Sequence, residues 1–393
     1  MSIASRVFAA SRARSGLAAM AVAACLVATA AQAQSTSVYY NEVARFTLSA
    51  GRPVEFGSNP SAIAWDGAKM YIAGLNNTGA AASVGIVEVT NASSTGINAA
   101  TFGTVFGERP STGSTRGFSG LDISGSTIAA AYDAGSASTD GIAAYDTAGT
   151  QLWGITARGG SGVAFDPGFN TPPIQGNGVA WTTFGSGRRA LQDSASGANI
   201  YTTSDGMIIN TASGDTGSGT FWRDMAFDPQ TGNMYPRRSN GIFKEIRTGA
   251  NSVNPIQEVV AAQASGNFVS GQNIAFMGQN PGLDDSVIYN DRGTTANGQV
   301  FTDVIKTRDA VTFAELTQTF QFLDSTVPAA GNGYYDFSYH AATNTVALLD
   351  FTNNTAHVFE VSAVPEPTTW ALLGTVGISA GLAALRRRWS PQA

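Results

Sequence analysis

Charge is scarce in this 393-residue chain: Asp, Glu, Lys and Arg together make up 13% of it. There is one cysteine, Cys25, and there are two histidines, His340 and His357. Each shortage excludes something. A lone thiol near the N-terminus leaves no disulfide framework and no Cys-ligated metal in the rest of the chain. Two histidines, with no His/Cys cluster at zinc spacing, leave no zinc site. A Ser/His/Asp triad would need His340 as its base, and no G-x-S-x-G element supports one. Low charge combined with 45 Gly suits a turn-rich β protein better than a helical one. Hydrophobic residues at 43% and aromatics at 10% are too many for a disordered chain.

Residues 1–33 read as a secretory signal peptide. Arg6, Arg12 and Arg14 form a positive start, residues 16–30 are apolar and uncharged, and Ala31-Gln32-Ala33 is a small-x-small cleavage site. The apolar stretch is too short to cross about 30 Å of hydrocarbon. Cys25 sits in a lipoprotein-like Val22-Ala23-Ala24-Cys25, but the apolar run continues past it to the A-x-A site.

The other end carries three consecutive features. Val364, Pro365, Glu366 and Pro367 come first. An uncharged, mostly apolar stretch from Trp370 to Leu385 follows, then Arg386, Arg387 and Arg388. The prolines remove backbone donors and favour an extended, accessible peptide. The apolar stretch is expected to enter a bilayer as a transmembrane helix of roughly 24 Å. Each arginine costs about 2.5–3.5 kcal/mol at the bilayer centre, so the cluster stops translocation. The tail, residues 364–393, resembles the PEP-CTERM sorting domain. That resemblance implies cleavage at the motif by an integral-membrane exosortase-type enzyme. It also implies transient residence in the inner membrane, release to the cell surface or exterior, and a Gram-negative host that makes extracellular polysaccharide.

Six of the 22 basic residues lie in these two ends, whereas all 28 acidic ones lie in residues 34–385, whose charge is therefore near −12. An acidic body argues against nucleic acid and anionic lipid surfaces as partners.

Residues 34–363 contain no amphipathic helical pattern of normal length. They contain a repeated short strand instead. Its copies are Ile63-Ala64-Trp65-Asp66, Val163-Ala164-Phe165-Asp166, Met225-Ala226-Phe227-Asp228 and Ile274-Ala275-Phe276, with weaker ones at Leu121-Asp122-Ile123 and Phe337-Ser338-Tyr339. Large residues alternate with a small one, so the two faces differ in bulk and both are apolar. Such a strand suits sheets stacked one on the next. Asp-Pro or Asp-Gly after it predicts a tight turn. A later strand also recurs, at residues 85–89, 141–145, 199–201, 241–246, 287–289 and 357–361.

The strand–turn–strand unit, repeated six times, resembles a β-propeller. The expected fold is all-β, with six blades and seven as the alternative; a β-sandwich is the rival. Residues 42–48 read as a late strand that pairs with the C-terminal blade and closes the ring. Residues 100–118 and 168–178 exceed what the repeat needs and are expected to be loops.

In a propeller the starts of the innermost strands ring one face. Arg223 and Asp224, Gln272 and Asn273, and Tyr335 and Asp336 occupy those starts, with Trp222 beside them. Trp222, Arg223, Asp224, Asn273, Tyr335 and Asp336 are therefore the candidate ligand face, combining aromatic planes with hydrogen-bonding groups. Asp122 departs from the repeat by occupying the small-residue slot, where burial would demand a partner. No cofactor is expected. Calcium is the one candidate, because Asp284, Asp285, Asn290 and Asp291 place four oxygen side chains within eight residues, though not at EF-hand spacing. The function expected is a non-enzymatic binding or structural module at the cell surface, with extracellular polysaccharide or an envelope protein as partner. The alternative is a propeller hydrolase or lactonase using a divalent metal held by Asp224, Asn273 and Asp336.

Overall fold

Strand after strand in this chain has bulk on one face and small residues on the other, and the sheets stack accordingly. The structure is a computed structural model. It describes residues 37–48, 54–57, 59–76, 83–110, 116–133, 141–156, 162–168, 178–182, 189–198, 207–208, 222–238, 241–249, 252–253, 257–261, 273–278, 284–290, 300–330 and 335–363. The signal sequence, the sorting motif and the terminal arginines lie outside the described residues. Residues 38–362 form one compact unit. Among the described residues, apart from a four-residue helix, Phe301–Val304, and a 3-10 turn, Val54–Phe56, the regular elements are β-strands. Among the described residues no helix is long and apolar enough to cross a membrane.

Most strands pair antiparallel, and five of the six sets follow chain order; the pairing of Ala44 and Arg45 with Gly96 and Ile97 is parallel. The first set is Asn59–Trp65, Met70–Asn76, Ser83–Thr90 and Thr101–Pro110. The second is Arg116–Ser124, Thr127–Asp133, Gly141–Asp146 and Gln151–Thr156. Pairing of Leu75 with Gly117 and of Asn76 with Arg116 joins these two at one corner. The third runs Val163–Asp166, Gly178–Thr182, Arg189–Asp193 and Met207–Ile208. The fourth runs Trp222–Phe227, Met234–Arg238, Gly241–Lys244 and Gln257–Ala261. The fifth has Ile274–Met277, Ser286–Asn290 and Ile305–Asp309. The last is assembled from distant segments, in the order Tyr335–His340, Thr345–Asp350, Thr355–Ala363, Ser37–Thr47 and Thr317–Gln321.

The first-named strand of each set packs against the first-named strand of the next, and Tyr335–His340 packs back against Asn59–Trp65. This cyclic order is that of a β-propeller, with the repeated strand lining the centre. The core lies between sheets. Ile63 and Trp65 pack towards the last sheet, beside Ala347, Leu349 and Val358. Ala62 and Ala64, on the opposite face, pack towards the second sheet, beside Phe118, Ile128 and Ala130. The alternation of large and small residues therefore lets neighbouring sheets approach closely at the centre. The N-terminal strand closes the ring as expected, and Leu48 N donates to Asn354 O at 2.7 Å.

Two expectations are corrected and a third falls outside the described residues. Residues 100–118 are not a loop: Thr101–Pro110 is the outer strand of the first sheet, and Arg116 already starts the next inner strand. Register shifts opposite Val84–Ile86 and Val87–Val89 take Phe102, Val105 and Phe106 out of a two-residue period, which hides the strand. Residues 287–289 occupy the second position in their sheet, not a later one, because they pair directly with Ile274–Met277. The later position of the third sheet belongs to Arg189–Asp193, whereas residues 199–201 lie outside the described residues.

Tight turns are built by one recurring device. At 193–198, 228–233 and 309–314 an Asp carboxylate accepts backbone N–H bonds from residues two and three further on. A Ser or Thr hydroxyl three residues on donates back to the same carboxylate. The fifth residue of each turn, Gly197, Gly232 or Phe313, is left-handed. Gly232 matters doubly: its φ is +72°, and a Cβ there would fall on the Gly168 carbonyl oxygen. Gly125, at φ +58°, faces open space. Gly125→Ala is expected to cost about 1 kcal/mol, the left-handed penalty alone. Gly232→Ala is expected to cost about 3 kcal/mol or more. Urea unfolding of the two variants, compared at equal m-value, checks the difference.

Candidate functional site

The inner strands pair backbone to backbone within their own sheets but not with one another. Their N–H groups towards the centre therefore need other acceptors. Side chains of the repeated strand supply them. Asp336 Oδ2 accepts from Ile63 N at 2.7 Å, and Asp224 Oδ2 accepts from Ile274 N at 3.0 Å. One pleat further along, Asp122 Oδ2 accepts from Phe165 N at 2.7 Å, and Ser338 Oγ accepts from Trp65 N at 3.0 Å. Each of these residues reaches forward to the next inner strand in the ring. The second oxygens are also used: Asp122 Oδ1 accepts from Ile123 N and Asp336 Oδ1 from Phe337 N, both at 2.8 Å. Asp224 likewise takes the N–H of Met225. Asp122 in the small-residue slot thus has the partner its burial demanded.

These carboxylates border a central cavity of about 190 Å³. Asp122, Asp224, Asp336 and Ser338 share its wall with apolar residues of the inner strands, and among the described residues no Lys, Arg or His lines it. Asp224 and Asp336 are buried, while Asp122 keeps part of its surface open to the cavity. Loss of hydration pushes the Asp122 carboxyl up to about 6, against the N–H bonds from Phe165 and Ile123. Burial raises Asp336 to about 7, opposed by Ile63 N–H and the Asn273 side chain. Asp224 rises well above the ordinary carboxylate range, first from burial and then from the Asp336 charge.

The candidate ligand face is only partly assembled here. Asp224, Asn273 and Asp336 converge, with the Asn273 side chain bonded to Asp336. Tyr335 does not join them. It is fully buried, packs edge-on against Phe301, and donates its hydroxyl to Ala330 O at 3.2 Å. Strand alternation explains this, since Asp336 takes the channel side and Tyr335 must take the other. The side chains of Trp222 and Arg223 lie outside the described residues.

Neither histidine sits in a triad. His340 Nδ1 bonds Thr343 Oγ1 at 2.8 Å in a turn, and His357 Nδ1 bonds buried Glu42 Oε1 at 2.6 Å. For calcium, Asp284 and Asp285 precede Ser286–Asn290, but the Asn290 side-chain oxygen accepts from Asn273 N at 3.3 Å. Asp291 lies outside the described residues. Among the described residues no three His, Cys, Asp or Glu side chains are grouped to hold a metal ion. Sequence reasoning missed a buried ion pair, Arg247 with Asp166, that ties the two-stranded ribbon of Arg247–Gly249 and Ser252–Val253 to the third sheet.

No protein-family model matches the chain, and no curated protein matches it. Solved structures do. One is the β-propeller domain of Cps50 (Swd1) from Myceliophteria thermophila, at 11% identity, covering 77% of this chain and 82% of that one, with a TM-score of 0.41. Another is a Bacteroides uniformis protein provisionally named a 6-phosphogluconolactonase, at 11% identity, covering 77% and 80%, with a TM-score of 0.43.

The raised channel acids make stability depend on pH. Between about pH 4 and 7 the folded state holds more protons than the unfolded one, so stability falls as pH rises through this window. It is fully present below the unfolded carboxylate value and lost above the folded ones. Asp122 alone corresponds to roughly 3 kcal/mol at about 1.4 kcal/mol per pH unit, an upper figure. Urea unfolding from pH 4 to 8 is expected to show this decline, and Asp122→Asn to flatten it. A stability that instead rises with pH across the window would contradict burial as the dominant cause.

Proposed function

We propose that the body is a six-bladed β-propeller serving as a non-enzymatic binding or structural module of an exported cell-surface protein associated with extracellular polysaccharide. One observation carries the non-enzymatic part. The channel carboxylates, which would be the catalytic groups of an enzyme in this fold, are already engaged by backbone N–H groups of neighbouring strands. A group held between two amides is poorly placed to move protons to a substrate. Six inner strands in cyclic contact among the described residues support the six-bladed reading over the seven-bladed one. The fold by itself decides no function.

The surface location rests on the two chain ends. The signal peptide directs export. The tail, with Val364, Pro365, Glu366 and Pro367 ahead of an apolar stretch and Arg386, Arg387 and Arg388, directs processing by an exosortase-type membrane enzyme. Intact-mass measurement of protein recovered from the cell surface is expected to show a chain ending near residues 364–367. A mature species that still carries Arg386, Arg387 and Arg388 would sink the processing claim and restore a plain membrane anchor.

A second reading, a metal-dependent propeller hydrolase or lactonase, draws on the raised carboxylates in the channel, since perturbed acids in a cavity often mark catalysis. The two readings separate in one pair of assays. Retention on host polysaccharide should fall several-fold in Trp222→Ala and persist in Asp224→Asn. Calcium-stimulated lactone hydrolysis that vanishes in Asp224→Asn would favour the enzyme instead.

A further inference from the structure

We propose that a polar groove at the outer edge of the ring, between the fifth sheet and the last, binds a neutral, hydroxyl-rich polysaccharide chain. The inference rests on the polysaccharide reading above and adds a second place of contact to the Trp222 face. The groove has a volume of about 400 Å³, against about 190 Å³ for the central cavity. The cavity is also walled by acids already bonded to amides. A polymer has to lie across an open surface, and the groove offers one. Thr302 comes from the short helix and Lys306 from strand Ile305–Asp309. Glu315 comes from the segment that crosses between the sheets, and Thr317, Gln318 and Phe320 from strand Thr317–Gln321.

The lining is fixed before any ligand arrives. Leu316 N donates to Thr307 O of the fifth sheet at 2.9 Å, and from the next residue the strand belongs to the last sheet, beside Ser37–Thr47. Gln318 Nε2 donates to Ile305 O at 3.0 Å, and its Oε1 accepts from Thr307 Oγ1 at 2.8 Å. With that proton spent, Thr307 Oγ1 accepts from the Tyr40 hydroxyl at 2.6 Å. The Tyr40 ring in turn stacks on Phe320 with centroids 4.5 Å apart. A site that does not have to be ordered on binding loses less entropy to its ligand.

The groups on offer match a sugar. Glu315 only accepts hydrogen bonds, Lys306 only donates them, and the hydroxyls of Thr302 and Thr317 do both. A sugar ring carries hydroxyls that do both, and Phe320 supplies apolar surface for its C–H face. Charge selects among sugars. Lys306 Nζ lies 3.4 Å from Glu315 Oε1, so the ionisable side chains lining the groove cancel. Arg308, behind Glu315, is committed: its Nε donates to the Tyr289 hydroxyl at 2.8 Å, its Nη1 to Phe313 O at 2.9 Å and its Nη2 to Glu315 Oε2 at 3.1 Å. A polyanionic chain therefore finds no excess of positive charge here and is repelled by a body near −12, whereas a neutral chain is not. The Lys306 and Glu315 side chains are 26% and 46% exposed, so their mutual attraction is weak enough to yield to sugar hydroxyls.

Retention of the purified protein on immobilised host polysaccharide tests this, with the polymer used as isolated and after chemical reduction of its carboxyl groups to neutral sugars. Wild type is expected to be retained on both within about twofold, and to stay so from about 0.05 to about 0.5 M NaCl. The double variant Lys306→Ala, Glu315→Ala is expected to bind the reduced polymer about tenfold more weakly. It should keep its fold by circular dichroism, because exposed ion pairs contribute little to stability. Should it not fold, Lys306→Ala decides, with a several-fold loss expected. Retention that disappears on carboxyl reduction, or falls steeply with salt, overturns the proposal in favour of an acidic polymer. Unchanged retention in the groove variant together with loss in Trp222→Ala overturns the groove and leaves the polysaccharide reading standing. Wild type that is retained on neither polymer overturns both.

Discussion

A sheet that is apolar on both faces cannot be the last one in a row. That constraint governs this molecule. The inner strand of the first sheet turns Ile63 and Trp65 to the last sheet and Ala62 and Ala64 to the second, and the other strands add apolar side chains to both faces, so the stack has to return to its start. Closure is achieved by a strand from the far end of the chain. Ser37–Thr47 lies between Thr355–Ala363 and Thr317–Gln321 in the last sheet. Tyr40 stacks on Phe320 with centroids 4.5 Å apart, and Thr47 N bonds Asn98 Oδ1 at 2.9 Å, so neighbours on several sides fix the strand. Contacts spanning nearly the whole chain must form before the first and last sheets are covered on both faces, which makes closure a late and slow step in folding.

Closing the ring creates a second problem at its centre. The inner strands converge, yet none can hydrogen-bond the next through its backbone. Asp122, Asp224, Asp336 and Ser338 fill that gap. A carboxylate offers two acceptors and no donor, so it can serve an amide of its own strand and one of the next strand together. Ser338 does the lesser version with one hydroxyl. The cost is electrostatic: three acids face one small cavity with no cation in its wall among the described residues. Burial and mutual repulsion then favour protonated carboxyls, and the centre of the ring becomes sensitive to mild changes in pH.

Much of this architecture was legible in residues such as Ile63, Ala64 and Trp65, because alternation of bulk is a direct consequence of a strand covered on both sides. The closing strand was legible for the same reason. What was hidden had a different physical origin. Thr101–Pro110 escaped because two register shifts break its period. The position of Val287–Tyr289 depends on which strand it pairs with, and pairing order is not written in local pattern. Tyr335 and Asp336 were grouped on one face because both begin a strand, yet consecutive residues in a strand point to opposite sides. For Asp122 the sequence indicated need without naming the donor, since Phe165 lies 43 residues away and only the ring brings it near.

The scarcity of charge acquires a structural meaning from these contacts. The buried polar residues are spent on joining segments that are remote in sequence. Glu42 and His357 join the closing strand to strand Thr355–Ala363, Asp166 and Arg247 join the third sheet to the ribbon of Arg247–Gly249 and Ser252–Val253, and the channel aspartates join successive inner strands. A chain with so few ionisable groups that commits them to its own closure has few left to arrange for chemistry. Recognition of another molecule is less demanding, because hydroxyls, amides and aromatic edges in turns suffice for it. The turn device at 193–198, 228–233 and 309–314 fixes its backbone with a single carboxylate and hydroxyl and leaves its outer residues free to vary, as exposed Val311 does. A ring that is internally committed and externally permissive is the physical basis on which the proposed binding role rests.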